Sequence, residues 1–230
     1  MSVSGVSRLP TSRFQRAQLV QGRTAYVMNG NSSGSGFFID ERHLATCAHV
    51  VRDSNSGILK TILGRSDKDY TIKYNVVCRG FEMENDVAIL KTQRSDLSPE
   101  GAQFIRRTAK LVRRRVTALQ SGESVMICGC PMNQIDPILT SGMVSASPIG
   151  ERGQILVSAF IQPGNSGGPC FDSGGKIVGL VSSTHTFGTV EVFVGGSKTL
   201  ETIPRNYGEI VPIQLLRDLA VAEGVPVFSA

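Results

Sequence analysis

From residue 24 onward the apolar residues fall into short runs separated by Gly, Asn, Asp and Ser. One half holds 25–28, 36–39, 58–63, 71–77 and 86–90; the other holds 124–127, 142–146, 154–159, 177–181 and 190–194. The runs are rich in Val, Ile, Phe and Thr and recur about every 10–15 residues with turn formers between them, which predicts short strands and an all-β sandwich or barrel architecture. Five or six runs lie on each side of residues 93–120, so the natural arrangement is two small barrels joined by a linker.

Two segments depart from this pattern. Ser98, Pro99 and Glu100 read as a helix start: a hydroxyl cap, a proline at the first helical position and an acid at the positive dipole end. Ile105, Ala109, Val112, Val116 and Leu119 then follow at helical spacing, with Arg106, Arg107, Lys110, Arg113 and Arg114 largely off that stripe. A second helix is expected over residues 212–223, opened by Pro212, with Ile213, Leu216, Leu219 and Ala220 on one face and Gly224 as the stop.

Composition narrows the class. The 230 residues, 40% hydrophobic and 19% charged, make one large globular domain or two small intimate ones. No apolar run spans a bilayer, and Arg8, Arg13 and Arg16 with no long apolar stretch beside them leave no secretory signal. The five cysteines are odd in number and scattered, Cys128 and Cys130 forming CxC rather than CxxC. They read as mostly buried free thiols, and an intracellular, cytoplasmic setting is expected with them. The net charge of +5 is uneven: residues 1–23 carry +4, residues 93–115 carry +5, and the rest carries −4. Basicity therefore belongs to an N-terminal arm, read as flexible or held by a partner, and to the helix over 98–119. That helix is either a solvated face or a docking site for an acidic partner, nucleic acid or membrane surface; Phe104 as its lone aromatic argues against stacking on single strands.

The sharpest chemical signal is Gly164-Asn165-Ser166-Gly167-Gly168-Pro169. Glycines around a serine let backbone amides turn toward one point, so the amides of Gly164 and Ser166 form a candidate oxyanion hole; the plain alternative is a Gly/Ser-rich turn. A nucleophilic serine needs a base, and the base an orienting carboxylate. Of three histidines, His49 sits at the end of a strand-like run. His43 falls in a turn expected to be solvated, and His185 follows Ser182-Ser183-Thr184. Asp86 leads directly into a buried-looking strand, a place where a lone acid is ordinarily a turn residue.

Together, in the order His49, Asp86, Ser166, the motifs TCAHVV, NDVAIL and GNSGGP resemble those of chymotrypsin-fold (trypsin-like) serine proteases, most of all the HtrA/Deg branch. Gly36-Phe37-Phe38-Ile39, Thr140 to Ser145, Gly129-Cys130-Pro131 and Ile210 to Ile213 add to the likeness, which spans about residues 24–220. The resemblance implies two six-stranded antiparallel β-barrels, with an interbarrel helix and a C-terminal helix. Its divisions are a basic arm over 1–23, a first barrel over 24–92 with His49 and Asp86, and a basic helical linker over 93–120. A second barrel over 121–211 carries Ser166, and residues 212–230 form the final helix and tail. It also implies a serine endopeptidase without a cofactor or metal, acting on a protein or peptide substrate: Ser166 as nucleophile, His49 as base and Asp86 as its orienter.

Departures refine the expectation. Asn165 stands where secreted trypsin-like enzymes carry an Asp that pairs with a freed N-terminus, so zymogen activation of that kind is not expected. About ten residues follow the final helix, leaving no PDZ domain there. Phe160, six residues before Ser166, stands where trypsin-like enzymes place an acid at the pocket base. A small or medium apolar residue on the acyl side follows, unless Phe160 points into the core. Ser182, Ser183 and Thr184 resemble the segment that pairs with an extended substrate. A homo-oligomer is a further expectation, and the rival functions are an idle or partner-activated scaffold of the same fold and, more remotely, a basic nucleic-acid-binding module.

Overall fold

The computed structural model describes residues 12–62, 69–80, 85–93, 99, 102–103, 118–149, 153–194 and 197–225. Six strands close the first barrel: β1 (Thr24–Asn29), β2 (Ser32–Phe38), β3 (His43–Thr46), β4 (Ser56–Ile62), β5 (Asp69–Arg79) and β6 (Ala88–Thr92), in the order β1-β2-β3-β6-β5-β4. Six more close the second: β7 (Ser124–Gly129), β8 (Ile138–Ile149), β9 (Gln154–Val157), β10 (Pro169–Asp172), β11 (Ile177–Val194) and β12 (Ser197–Pro212), in the order β10-β11-β12-β9-β8-β7. All pairings are antiparallel, so closure removes the exposed sheet edges that an open sheet would leave. This is the chymotrypsin-like double barrel.

Each barrel holds its own core. Val27, Phe38, Leu44, Leu59, Ile72, Tyr74 and Leu90 fill the first, and Val125, Ile127, Val144, Val157, Val178, Val181 and Ile210 the second. A third cluster joins them: Phe37, Ala45 and Ile89 meet Leu180 and Val211 and the helix α2 (Ile213–Ala222) through Leu216 and Ala220. The period-2 alternation of β2 explains the division, because Phe38 faces inward while Phe37 faces the neighbouring barrel. The C-terminal helix stops, as its glycine predicts, with Gly224 at φ +64°.

Part of the N-terminal segment, expected as a flexible or partner-held arm, is helical and packed. Residues 13–21 form α1 (Arg13–Gln21), capped by Ser12, whose Oγ accepts from Gln15 N at 3.1 Å. Gln21 Nε2 donates to the Pro137 carbonyl at 3.1 Å and Val20 packs on Met126, Cys128 and Phe171, so this helix is seated on the second barrel. Arg23 is buried, donating to the Phe38 carbonyl. Desolvation lowers its pKa to about 9 despite the counter-charge of Asp40. Residues 1–11 and nearly all of the basic segment 98–119 lie outside the described residues; Leu119, at its end, is buried in the second core.

Candidate active site

The register of β3 on β6 builds half of the site. Thr46 lies opposite Ala88; His49 comes three residues after the one and Asp86 two before the other, so both emerge at the same end of the first barrel. His49 opens a short 3-10 turn, and its backbone N donates to Asp86 Oδ1 at 3.1 Å. His49 Nδ1 lies 2.8 Å from Asp86 Oδ2, which also accepts from Ser182 Oγ at 2.7 Å. Burial alone would raise the Asp86 pKa. The His49 ring contact, the His49 charge, the Ser182 hydroxyl and the His49 amide outweigh it and hold the carboxyl below its ordinary value. A carboxylate facing Nδ1 keeps the proton on that nitrogen and leaves Nε2 as the acceptor, the form a general base needs.

The second barrel supplies the serine. Gly167 N donates to Val181 O at 2.7 Å and Val181 N to Gly168 O at 2.9 Å, which hangs the 164–168 turn alongside β11. Ser166 Oγ donates to the Ser182 carbonyl at 2.7 Å, and no hydrogen bond joins it to His49 among the described residues. The turn's carbonyls are committed: Pro163 O accepts from Met132 N at 2.9 Å, Gly164 O from Ser35 Oγ at 2.6 Å, Asn165 O from Gly168 N at 2.9 Å and Ser166 O from Ser35 N at 2.7 Å. In a trans peptide the N–H points opposite to the carbonyl, so fixing Pro163 O and Asn165 O directs the amides of Gly164 and Ser166. Neither amide meets a protein acceptor among the described residues. Gly164 has φ +97°, and a Cβ there would lie 2.6 Å from Cys130 O, so glycine is required twice over.

Other expected site residues fall differently. Phe160 is 67% exposed and forms no buried pocket floor; its neighbour Ile161 turns inward onto the second core, with its side chain against Gly208. Ser183 and Thr184 lie in β11 opposite Glu209 and Gly208; their side chains and that of His185 lie outside the described residues. His43 is buried in β3, not solvated, because the Asp40 carboxylate takes its ring Nδ1 at 2.8 Å and its backbone N at 2.7 Å. All five cysteines are free and buried. Cys47, His49 and Asp86 bring potential metal ligand atoms within 4.8 Å of one another, and hydrogen bonds engage each, Cys47 Sγ donating to Val181 O at 3.1 Å.

Neither the Ser182 hydroxyl nor Ser35 stands out in the sequence. Gly34-Ser35-Gly36 inside a strand was the available signal, because glycine in a strand marks close backbone approach. Among the described residues no helix is long and apolar enough to cross a membrane.

Comparison with known proteins finds relatives among serine proteases. A probable periplasmic serine endoprotease, DegP-like, of Pseudomonas savastanoi is 34% identical over 161 residues, 67% of this chain and 30% of its own length. Protease Do-like 1, chloroplastic, of Arabidopsis thaliana is 29% identical over 184 residues, 74% of this chain and 37% of its own. The chain thus spans about a third of the length of these curated relatives. The crystal structure of the serine endoprotease from Yersinia pestis superposes with a TM-score of 0.66 at 19% identity, covering 94% of this chain and 68% of that one, a likeness of fold. The family described as "Trypsin-like peptidase domain" matches residues 34–180, most of both barrels and all three motifs, and to that family this chain belongs.

Proposed function

We propose that the chain is a serine endopeptidase acting through an acyl-enzyme intermediate, with Ser166, His49 and Asp86 as its triad. The observation that carries this is the Asp86–His49 pair, 2.8 Å apart, assembled from the first barrel beside a second-barrel serine with two uncommitted amides. Ser166 Oγ attacks the peptide carbonyl while its proton passes to His49 Nε2. The C–O bond forms, and the carbonyl oxygen becomes an anion held by the Gly164 and Ser166 amides. Collapse breaks the C–N bond as His49 returns the proton to the leaving amine, and water repeats the sequence to release the acid. Ser166 Oγ now rests on the Ser182 carbonyl. An extended substrate pairing along 182–184 donates its own N–H to that carbonyl and frees the hydroxyl for His49.

The acyl-side pocket is small and apolar in this proposal, walled by Ile161 over Gly208. An unpaired Lys or Arg side chain buried there has no counter-charge, whereas Val, Ala or a similar residue loses only water. Asn165 is 4% exposed and neutral, so the turn holds no buried anion that needs a freed N-terminal ammonium. The Pseudomonas and Arabidopsis relatives above are named periplasmic and chloroplastic; they lend no support to the cytoplasmic setting expected from the thiols.

The alternative, an idle or partner-activated scaffold, draws on one observation: the Ser166 hydroxyl is bonded to Ser182, not to His49. A fluorophosphonate probe separates the two. Wild type is expected to label at Ser166 and Ser166→Ala not at all, with turnover falling on the order of 10⁶-fold. Wild type that stays unlabelled favours the scaffold. On a peptide library, Ile161→Ala is expected to shift cleavage toward larger apolar residues and Phe160→Ala to leave the profile unchanged; efficient wild-type cleavage after Arg or Lys overturns the pocket.

A further inference from the structure

We propose that Ser35, on β2 of the first barrel, is the positioning residue that sets the oxyanion turn of the second barrel; this rests on the peptidase reading above. Ser35 is fully buried and makes three bonds across the barrel boundary. Its N–H donates to Ser166 O at 2.7 Å, its Oγ donates to Gly164 O at 2.6 Å, and the same Oγ accepts from Cys130 N at 2.8 Å.

The sheet explains why it is free to do so. Ser35 pairs with Tyr26 on β1, but the pairing of β2 with β3 covers only Phe37 with Ala45 and Phe38 with Leu44. On that side the ladder stops short of Ser35, and its amide turns to the other barrel instead. Gly34 permits the approach, since a Cβ there would lie 2.8 Å from Ser166 O; Gly36 serves the first barrel itself, where a Cβ would lie 2.8 Å from Ala45 O. A buried carbonyl and a buried N–H both need a partner at one point, and a hydroxyl is the smallest side chain that donates and accepts at once.

The consequence reaches the chemistry through the backbone. Gly164 O and Ser166 O stand on either side of the peptide that carries the Ser166 amide, and Gly164 contributes the second amide of the hole. Without the hydroxyl, Gly164 O and Cys130 N lose their partner; the 164–165 peptide is then held only by Asn165 N on Gln162 O at 3.0 Å, and its rotation about Gly164 loosens the adjoining peptide that carries the Gly164 amide. Ser35 touches no substrate; it acts by keeping both donors aimed.

The test compares Ser35→Ala and Ser35→Gly with Thr61→Val, which removes an equally buried hydroxyl bond (Thr61 Oγ1 to Thr24 O, 2.9 Å) elsewhere in the same barrel. Both Ser35 variants are expected to lose about 10- to 100-fold in kcat, less than deletion of a hole donor costs, with KM within about twofold. Affinity for a peptidyl boronate, whose tetrahedral adduct places an oxygen in the hole, falls in parallel. Ser35→Thr, retaining the hydroxyl, restores most of the loss, and Thr61→Val changes thermal stability but not kcat. A merely structural Ser35 would lower stability and leave kcat per folded molecule and boronate affinity at wild-type levels; that result overturns the proposal. Amide exchange over residues 160–168 provides a readout that needs no turnover: faster exchange in Ser35→Gly and not in Thr61→Val supports the positioning role, and equal exchange refutes it. Wild type that neither labels nor cleaves sinks the peptidase reading by itself, while the exchange comparison still decides whether Ser35 sets the turn.

Discussion

Asp86 concentrates the electrostatics of the site in one side chain. It is buried, and it accepts from His49 twice and from Ser182 once, contacts that hold its pKa down. With the folded value below the unfolded value of about 3.9, the unfolded chain binds more protons between the two. The stability Asp86 contributes is therefore present above about pH 4 and lost as pH falls through the folded pKa. Asp86→Asn is expected to flatten the acid limb of a stability–pH curve followed by urea unfolding, and an unchanged limb refutes the assignment. The same variant loses about 10⁴ in kcat, because an amide no longer selects the Nδ1–H form of His49. The cysteines make the opposite case: burial raises Cys128 and Cys130 to about 12, so in the native state they stay protonated and inaccessible. Native protein should resist iodoacetamide, and urea should expose all five thiols.

At the scale of elements, the site depends on how strands end. The pairing of β3 with β6 delivers His49 and Asp86 together, and the hydrogen bonds between the 164–168 turn and β11 deliver Ser166. Glycine tolerances divide accordingly. Gly30 has φ +58° with nothing near a Cβ, so Gly30→Ala costs only the conformation, about 1 kcal/mol. Gly167 has φ +85°, and a Cβ there would run into Ser35 O and Thr46 Oγ1. Gly167→Ala should lose clearly more stability than Gly30→Ala and should lose fluorophosphonate labelling; equal melting temperatures for the two would show that the turn yields. Much at this scale was legible: most strand-like runs became strands, and the 212–223 helix differs from α2 by a residue at each end. The runs that were not picked out, β10 and much of β12, are four residues long or broken by polar and glycine positions, so their strand character comes from partners rather than from local pattern.

For the whole molecule, the decisive feature is the cluster shared by the barrels and α2. Leu216 is fully buried there, in one cluster with Phe37, Ile89, Leu180 and Val211, and α2 lies against β5 and β6 of the first barrel and β11 and β12 of the second. Leu216→Ala is expected to cost about 2–5 kcal/mol in urea unfolding. Because the proposed triad is divided between barrels, it should also reduce labelling of Ser166 before the fold is lost; a stability loss with labelling unchanged would show that the cluster does not hold the cleft. The expected basic arm illustrates the limit of counting charge along a chain, since Arg23, one of its four arginines, is buried and its formal charge is not an exposed one.

The sequence by itself determined the all-β class, the two halves, the C-terminal helix and the three motifs with His49, Asp86 and Ser166, because period-2 patterning, turn glycines and local signatures are carried by adjacent residues. Tertiary structure decided what joins residues far apart: that Ser182 bonds Asp86, that Ile161 and not Phe160 faces inward, and that Ser35 holds the carbonyls of Gly164 and Ser166. Those contacts cross 96 to 131 positions of chain or turn on which of two neighbouring loop residues faces inward. Such outcomes follow from closure and register, which no local pattern contains.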